Sequence, residues 1–338
     1  MYDSVAVVGA TGAVGTLIIR MLQERKFPYK RIKFLASQRS VGKSLQFNGV
    51  EHKVELLCPD AFNDVDLVIA STPDDVARDF VPEARKRVKA IVDESGYWRM
   101  YPDVPLVIPE VNAEAIRKHK GLISSPNCST TQMVVALKPL HDYARVRRVV
   151  VSTYQATSGA GVQGNRDLVK SSQVWLDNNN QYAPCEMETF PYPIGFNCIP
   201  QIGSEKERGY TSEELKLLHE TRKILGDSSI QVCPTAVRVP VANCHSESVL
   251  VETERKITVD KARELFASMP GVKLMDDLSH KLYPTPYHCH DTDDVYVGRI
   301  REDISASNSL AFWCVSDNLR KGAATNAVQI AEWIQQNL

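Results

Sequence analysis

The stretch "SVAVVGATGAVGTLIIRMLQER", residues 4–25, decides how the chain begins to fold. Small and β-branched apolar residues run to Val8. A turn with glycines at 9, 12 and 15 follows, and then apolar residues recur every three or four positions. The pattern is a strand, a Gly-rich turn and an amphipathic helix. Glycines at this spacing let the backbone approach a pyrophosphate, and a helix N-terminus favours anionic oxygens. The same spacing also makes a tight turn with no ligand. Its place between a strand and a helix favours the dinucleotide reading. Working outward, "RIKFLAS" (31–37) reads as a second strand and "VDLVIASTP" (65–73) as a third, with a helical pattern over 74–89. "KAIVDES" (89–95) reads as a fourth strand and "LVIPEVN" (106–112) as a fifth. Short apolar strands alternating with helices imply an α/β fold with a parallel, doubly wound sheet.

The pattern changes at residue 128. "STTQMVVALKPL" (129–140) reads as a helix ending near Pro139. "RRVVVSTYQAT" (147–157), "VCPTAVRVPV" (232–241), "HSESVLVETE" (245–254) and "VYVGRIRED" (295–303) are alternating segments with long connections. They suggest a second, α+β domain with a mostly antiparallel sheet, faced by helices at 162–178, 211–225 and 259–268. "RKGAATNAVQIAEWIQQ" (320–336) is an amphipathic helix expected to pack back on the first domain. The expected division is therefore 1–127 with 318–338, and 128–317. A length of 338 residues is in keeping with two domains.

Lys and Arg (40) balance Asp and Glu (41), giving a net charge of −1. No basic excess suits nucleic acid or an anionic membrane surface. No apolar run approaches a membrane span, and the N-terminus enters a strand without a basic leader, so a cytoplasmic location is expected. The eight cysteines (58, 128, 185, 198, 233, 244, 289, 314) show no CxxC pair and read as reduced thiols.

Cys128, in "SSPNCSTTQ" (124–132), sits among polar residues at a turn that opens a helix. There the helix dipole and the N–H groups of the first turn favour a thiolate. The same groups can hold an oxyanion on an acylated cysteine. Among eight histidines, His245 in "PVANCHSES" (240–248) is the best candidate for its acid/base partner, although spacing alone does not bring the two together. Arg238 lies inside the apolar segment "AVRVPV" (236–241), where a charge must be paired or bind something. Arg99 follows "ESGYW" (94–98). Glu220 and Lys223 lie three apart on one helix face, the spacing of an ordinary ion pair. In "ASQRS" (36–40), Ser37, Arg39 and Ser40 stand where an acidic residue would bind a ribose hydroxyl. A cation and hydroxyls there favour NADP over NAD. "YHCHD" (287–291) holds four ligand-type side chains, but adjacent residues point apart, so no metal is expected.

Together "VAVVGATGAVG", "ASQRSVGKSL", "SPNCSTTQMV", "YQATSGAG", "ETRKIL", "VRVPVANCHSESV", "VYVGRIRED" and "DNLRKGAATNAVQIAE" make the chain resemble the bacterial aspartate-β-semialdehyde dehydrogenase family over essentially its whole length. The resemblance implies a Rossmann-type NADP-binding domain and a catalytic and dimerisation domain. It implies interconversion of L-4-aspartyl phosphate and NADPH with L-aspartate 4-semialdehyde, phosphate and NADP⁺, in the biosynthesis of lysine, threonine and methionine by a homodimer. Carried over residue by residue, Cys128 would be the nucleophile, with Asn127 beside it, and His245 the acid/base. Gln155 would orient the substrate or thioester. Arg238 would hold the substrate carboxylate, Glu220 its ammonium, and Arg99 and Lys223 phosphate. Cofactor contacts would fall on Gly9, Thr11, Gly12, Ala13, Val14, Ser37, Arg39, Ser40, Ser158, Gly159 and Asn318. Two stretches depart from the family pattern. "STPDDVAR" (71–78) replaces a Gly- and Ser-rich loop, and "DESGYWRM" (93–100) places Glu94 where the family usually has Asn. The competing expectations are a reductase of another acyl phosphate or thioester on this scaffold, and a catalytically altered paralogue.

Overall fold

The computed structural model describes residues 2–338. The chain forms two compact units. One runs to Asn127 and resumes over Ala323–Leu338; the other is Cys128–Gly322.

The first unit contains β1 (Ser4–Val8), α1 (Ala13–Glu24), β2 (Arg31–Ala36), β3 (Ser44–Phe47), β4 (Val50–Lys53), β5 (Glu55–Leu56), β6 (Leu67–Ala70), α2 (Asp74–Ala84), β7 (Ala90–Asp93), α3 (Pro109–Asn112) and β8 (Leu122–Ser124). Six strands form one sheet in the order β5-β2-β1-β6-β7-β8, with every pair parallel. The period of two along β1 sends Val5 and Val7 to one face and Ala6 and Val8 to the other. Val5 and Val7 pack with Ile18, Met21 and Leu22 of α1. Ala6 and Val8 pack with Phe80 and Val81 of α2. A parallel sheet covered on both faces needs such uninterrupted apolar strands. β3 and β4 form a separate hairpin closed by Asn48 and Gly49, both at positive φ, as a tight two-residue turn requires.

The expected fifth strand at 106–112 does not form. Leu106 makes a single bridge to Ser124, Pro109–Asn112 is one helical turn, and β8 takes the edge of the sheet. Pro109 has no N–H for a ladder, and its fixed φ suits the first turn of a helix. The Asn112 side chain closes the segment on itself, accepting from Ile108 N and donating to Leu106 O. The helix expected over 74–89 stops at Ala84.

The second unit contains α4 (Cys128–Ala144), β9 (Val146–Gln155), α5 (Gly161–Asp177), α6 (Ser212–Leu225), β10 (Gln231–Arg238), β11 (His245–Thr253), α7 (Val259–Ser268), β12 (Val272–Leu274), α8 (Pro286–Cys289), β13 (Val295–Glu302) and β14 (Ser309–Ser316). The sheet order is β10-β9-β11-β14-β13-β12. The three inner pairs are antiparallel, and the two outer pairs are parallel. Pro234 lies on β10, an edge strand, where a missing N–H is tolerated. α4 does not end near Pro139. It continues to Ala144, because Leu137, Leu140 and Ala144 on its buried side keep the helix against the sheet despite one lost backbone bond. A turn of π-helix over Arg320–Ala324 leads into α9 (Thr325–Asn337), which belongs to the first unit. There Ala327, Val328, Ile330, Ala331 and Ile334 join the core beside α1, as the apolar period of 320–336 predicts.

Candidate active site

In the first unit, β1 delivers Gly9 into the turn at φ +79°. A Cβ at Gly9 would overlap the Ser71 carbonyl, and one at Gly15 would overlap the Gly9 carbonyl. Gly12 is the N-cap of α1 and offers no side chain to the first-turn N–H groups; no acid lies in that turn. This bare, positively polarised cradle fits the pyrophosphate of a dinucleotide. Thr11, Ala13 and Val14 lie along it. Thr11 and Ser40 share a hydroxyl–hydroxyl hydrogen bond of 3.0 Å, so the "ASQRS" turn meets the glycine turn. Ser37 and Arg39 are exposed beside them, a placement open to a ribose phosphate.

The two departing stretches are tied to each other. Asp74 at the start of α2 accepts from Gly96 N at 2.7 Å. Arg99, largely buried, donates to Glu94 O at 2.7 Å. Asp93 at the end of β7 accepts from the Ser95 hydroxyl at 2.5 Å, and burial pushes its carboxyl up to about 6 despite that bond. Asn127, also buried, is the last residue of this stretch of the unit.

In the second unit, Cys128 is the first residue of α4 and is half-buried. Gly322 lies against it: a Cβ on Gly322 would come 2.8 Å from the Cys128 Cβ. His245, the first residue of β11, is wholly buried. Its Nδ1 accepts from Ala156 N at 3.0 Å, which places the proton of the neutral ring on Nε2. Among the described residues, Nε2 has no hydrogen-bond partner. Burial and the Arg238 charge push the imidazole down to about 3, so it is neutral at physiological pH.

Arg238 ends β10, and its Nη1 donates to Ala156 O at 2.7 Å. A Cβ on Gly159 would lie 2.9 Å from Arg238 Nη1 and 3.2 Å from His245 Nε2, so guanidinium and imidazole meet over a residue with no side chain. The charges of Glu213 and Cys128 both act on Arg238. Gln155, at the end of β9, donates to Glu213 Oε1 at 3.4 Å. Glu220 is buried on α6, two turns after Glu213 on the same face, with the half-buried Lys223 a turn further. Asn318 donates to Ser158 Oγ at 3.1 Å and accepts from Cys244 N at 3.0 Å.

The second unit thus gathers Gln155, Gly159, Arg238 and His245, with Cys128 within electrostatic reach of Arg238. Two members were not anticipated from sequence. Glu213 had a signal, its seven-residue spacing from Glu220. Gly322 had none, because only packing reveals what its missing side chain makes room for.

The aspartate-semialdehyde dehydrogenase of Aquifex aeolicus is 46% identical over 331 residues, covering 97% of this chain and 96% of its own. The chain belongs to the aspartate-semialdehyde dehydrogenase family. The Bacillus subtilis aspartate-semialdehyde dehydrogenase is 42% identical over 98% of this chain and 97% of its own. The semialdehyde dehydrogenase NAD-binding domain matches residues 4–119, and the semialdehyde dehydrogenase dimerisation domain matches 137–321. Among solved structures, aspartate semialdehyde dehydrogenase II of Vibrio cholerae, complexed with ASA, superposes with a TM-score of 0.95 at 40% identity, covering 100% of this chain and 99% of that one. The Candida albicans aspartate semialdehyde dehydrogenase, solved with NADP, gives 0.77 at 25% identity, with 99% of each chain covered. As a member of the aspartate-semialdehyde dehydrogenase family, the chain is an oxidoreductase with an NAD(P)-binding domain.

Proposed function

We propose that the protein reduces L-4-aspartyl phosphate to L-aspartate 4-semialdehyde with NADPH, through a thioester on Cys128. Arg238 carries this reading: a buried guanidinium set beside a neutral histidine and close to the nucleophile suits a small anionic substrate. The α4 N-terminus supports the Cys128 thiolate, which attacks the acyl carbon; phosphate leaves and takes a proton from solvent. Arg99 and Lys223 hold the phosphate, Arg238 the substrate carboxylate and Glu220 its ammonium. Gln155 orients the thioester, with Asn127 beside the nucleophile. The Gly9–Gly12–Gly15 turn, Thr11, Ala13, Val14, Ser37, Arg39, Ser40, Ser158, Gly159 and Asn318 would hold NADPH, which when bound would supply the hydride that reduces the thioester.

The tautomer narrows the part of His245. With Nδ1 accepting from Ala156 N, its buried Nε2–H is left as a donor. It holds the oxyanion that forms on the thioester carbon, and collapse of that alkoxide releases the aldehyde and returns the Cys128 thiolate. No proton need cross the ring in this step. The protein acts as a cytoplasmic homodimer, a reading supported by the dimerisation-domain match and by the lack, among the described residues, of a helix able to cross a membrane.

The test mixes purified protein with L-aspartate 4-semialdehyde and NADP⁺, with and without phosphate, and with NAD⁺ in parallel. Phosphate-dependent reduction of NADP⁺, faster than of NAD⁺, is the expected result. Reduction of neither cofactor by folded protein would instead favour another acyl substrate or an altered paralogue.

A further inference from the structure

Apart from the catalytic set, three ligand-bearing side chains meet in the second unit. Cys244 Sγ, His290 Nδ1 and a carboxylate oxygen of Asp317 all lie within 4.8 Å of one another. They come from three places: the residue before β11, the residue after α8 and the residue after β14. The four candidates of "YHCHD" do not themselves converge. His288 turns to Thr285, with 2.8 Å between Nδ1 and the hydroxyl oxygen, whereas His290 turns to Asp317 at 3.4 Å.

The set is built as a site would be. Asp317 is fixed: Oδ1 accepts from Leu319 N and Arg320 N, and Oδ2 from Asp291 N. Those bonds use both lone pairs of Oδ1 and leave one on Oδ2, the oxygen that faces His290. Cys244 is wholly buried and held at φ +71°, a left-handed backbone that is costly for a side-chain-bearing residue and that glycine would adopt freely. A side chain kept at such a position invites a functional account. His290 is over half exposed and supplies both an entry path and room to adjust. Cys289 is buried in the same small cluster as Cys244.

We propose that Cys244, His290 and Asp317 form a binding site for a divalent cation of the zinc class, with water in the fourth position. Thiolate, imidazole and one carboxylate suit a borderline-soft ion, whereas magnesium and calcium take oxygen ligands. Bond lengths of about 2.0–2.3 Å need ligand atoms roughly 3.5 Å apart, a spacing that His290 and Asp317 already have and that requires Cys244 to close by about an ångström at most. Uptake displaces the thiol proton to solvent. Cys244 directly precedes His245, and its N–H is held by Asn318, which follows Asp317. A bound ion therefore ties down the backbone on which both residues depend.

The test uses the full chain carrying Cys128→Ala, which removes the catalytic thiol, and Co²⁺ as the probe. A thiolate-to-cobalt charge-transfer band that saturates at one ion per chain and is displaced by Zn²⁺ is expected. Adding Cys244→Ser should abolish the band. Adding His290→Ala, a change at the surface that leaves the fold alone, should weaken Co²⁺ binding by about tenfold or more. Absence of the band in the Cys128→Ala protein, its survival in Cys244→Ser, or unchanged affinity in His290→Ala would each overturn the proposal.

Discussion

Residue 159 is a glycine because the Arg238 guanidinium and the neutral His245 imidazole crowd the space where its side chain would stand. Its φ is not in the left-handed region, so alanine fits the backbone and strains only the site. Gly159→Ala is therefore expected to lower kcat/KM by about 100-fold, the order of effect of an ångström-scale displacement, with little change in Tm. Steady-state kinetics beside a thermal melt separate the two. Cys128→Ser should lose about 10³-fold or more in turnover and, in the native enzyme, the one fast-alkylating thiol near neutral pH. Cys128 and Arg238 were legible because each breaks the pattern of its surroundings, a thiol among polar turn residues and a charge in an apolar strand. Gly322 was not legible, since its part is to be small beside Cys128.

Among the elements, periodicity located α5, α6 and α7 of the second unit to within a residue or two. It failed where one residue type carries two messages. Pro139 reads as a helix end, yet α4 passes through it because the burial of Leu137 and Leu140 outweighs one missing bond. "LVIPEVN" reads as a strand by its apolar run, yet Pro109 turns it into a helical turn. β14 was missed because "SLAFWCVS" is buried on both faces and so lacks alternation. At the end of β7, Asp93 makes a testable pH signature. Its folded-state pKa of about 6 lies above the usual 3.8, so its ionisation weakens the fold above pH 6, and this penalty fades as pH falls through 6 towards 3.8. The unfolding free energy of Asp93→Asn relative to the native chain should thus improve between pH 4 and pH 8 by up to about 3 kcal/mol, read from urea melts. A difference that stays flat with pH would contradict the assignment.

At the scale of the whole molecule, the alternation of strands and helices, then its loss after residue 128, was enough to specify the two architectures. A homodimer was expected from the resemblance alone; the surface that carries it was not legible, because exposure depends on the folded surface. On α5, Val162, Val169 and Leu176 are exposed by 57%, 69% and 54% at seven-residue spacing. Such a stripe is costly in water, and it lies within the dimerisation-domain match. Val169→Glu is expected to halve the particle mass seen by analytical ultracentrifugation; an unchanged dimer would place the interface elsewhere.

The return of α9 to the first unit has a consequence for synthesis. Gln335 bonds both the N–H and the carbonyl of Tyr2, so the two ends of the chain are stitched together. The unit that begins first at the ribosome therefore finishes last, after all of Cys128–Gly322 has emerged and is free to fold. Until then Val5, Ile18 and Met21 lack the apolar cover of α9, and a nascent chain stalled before Ala323 exposes its own nucleotide-binding core to proteases and chaperones.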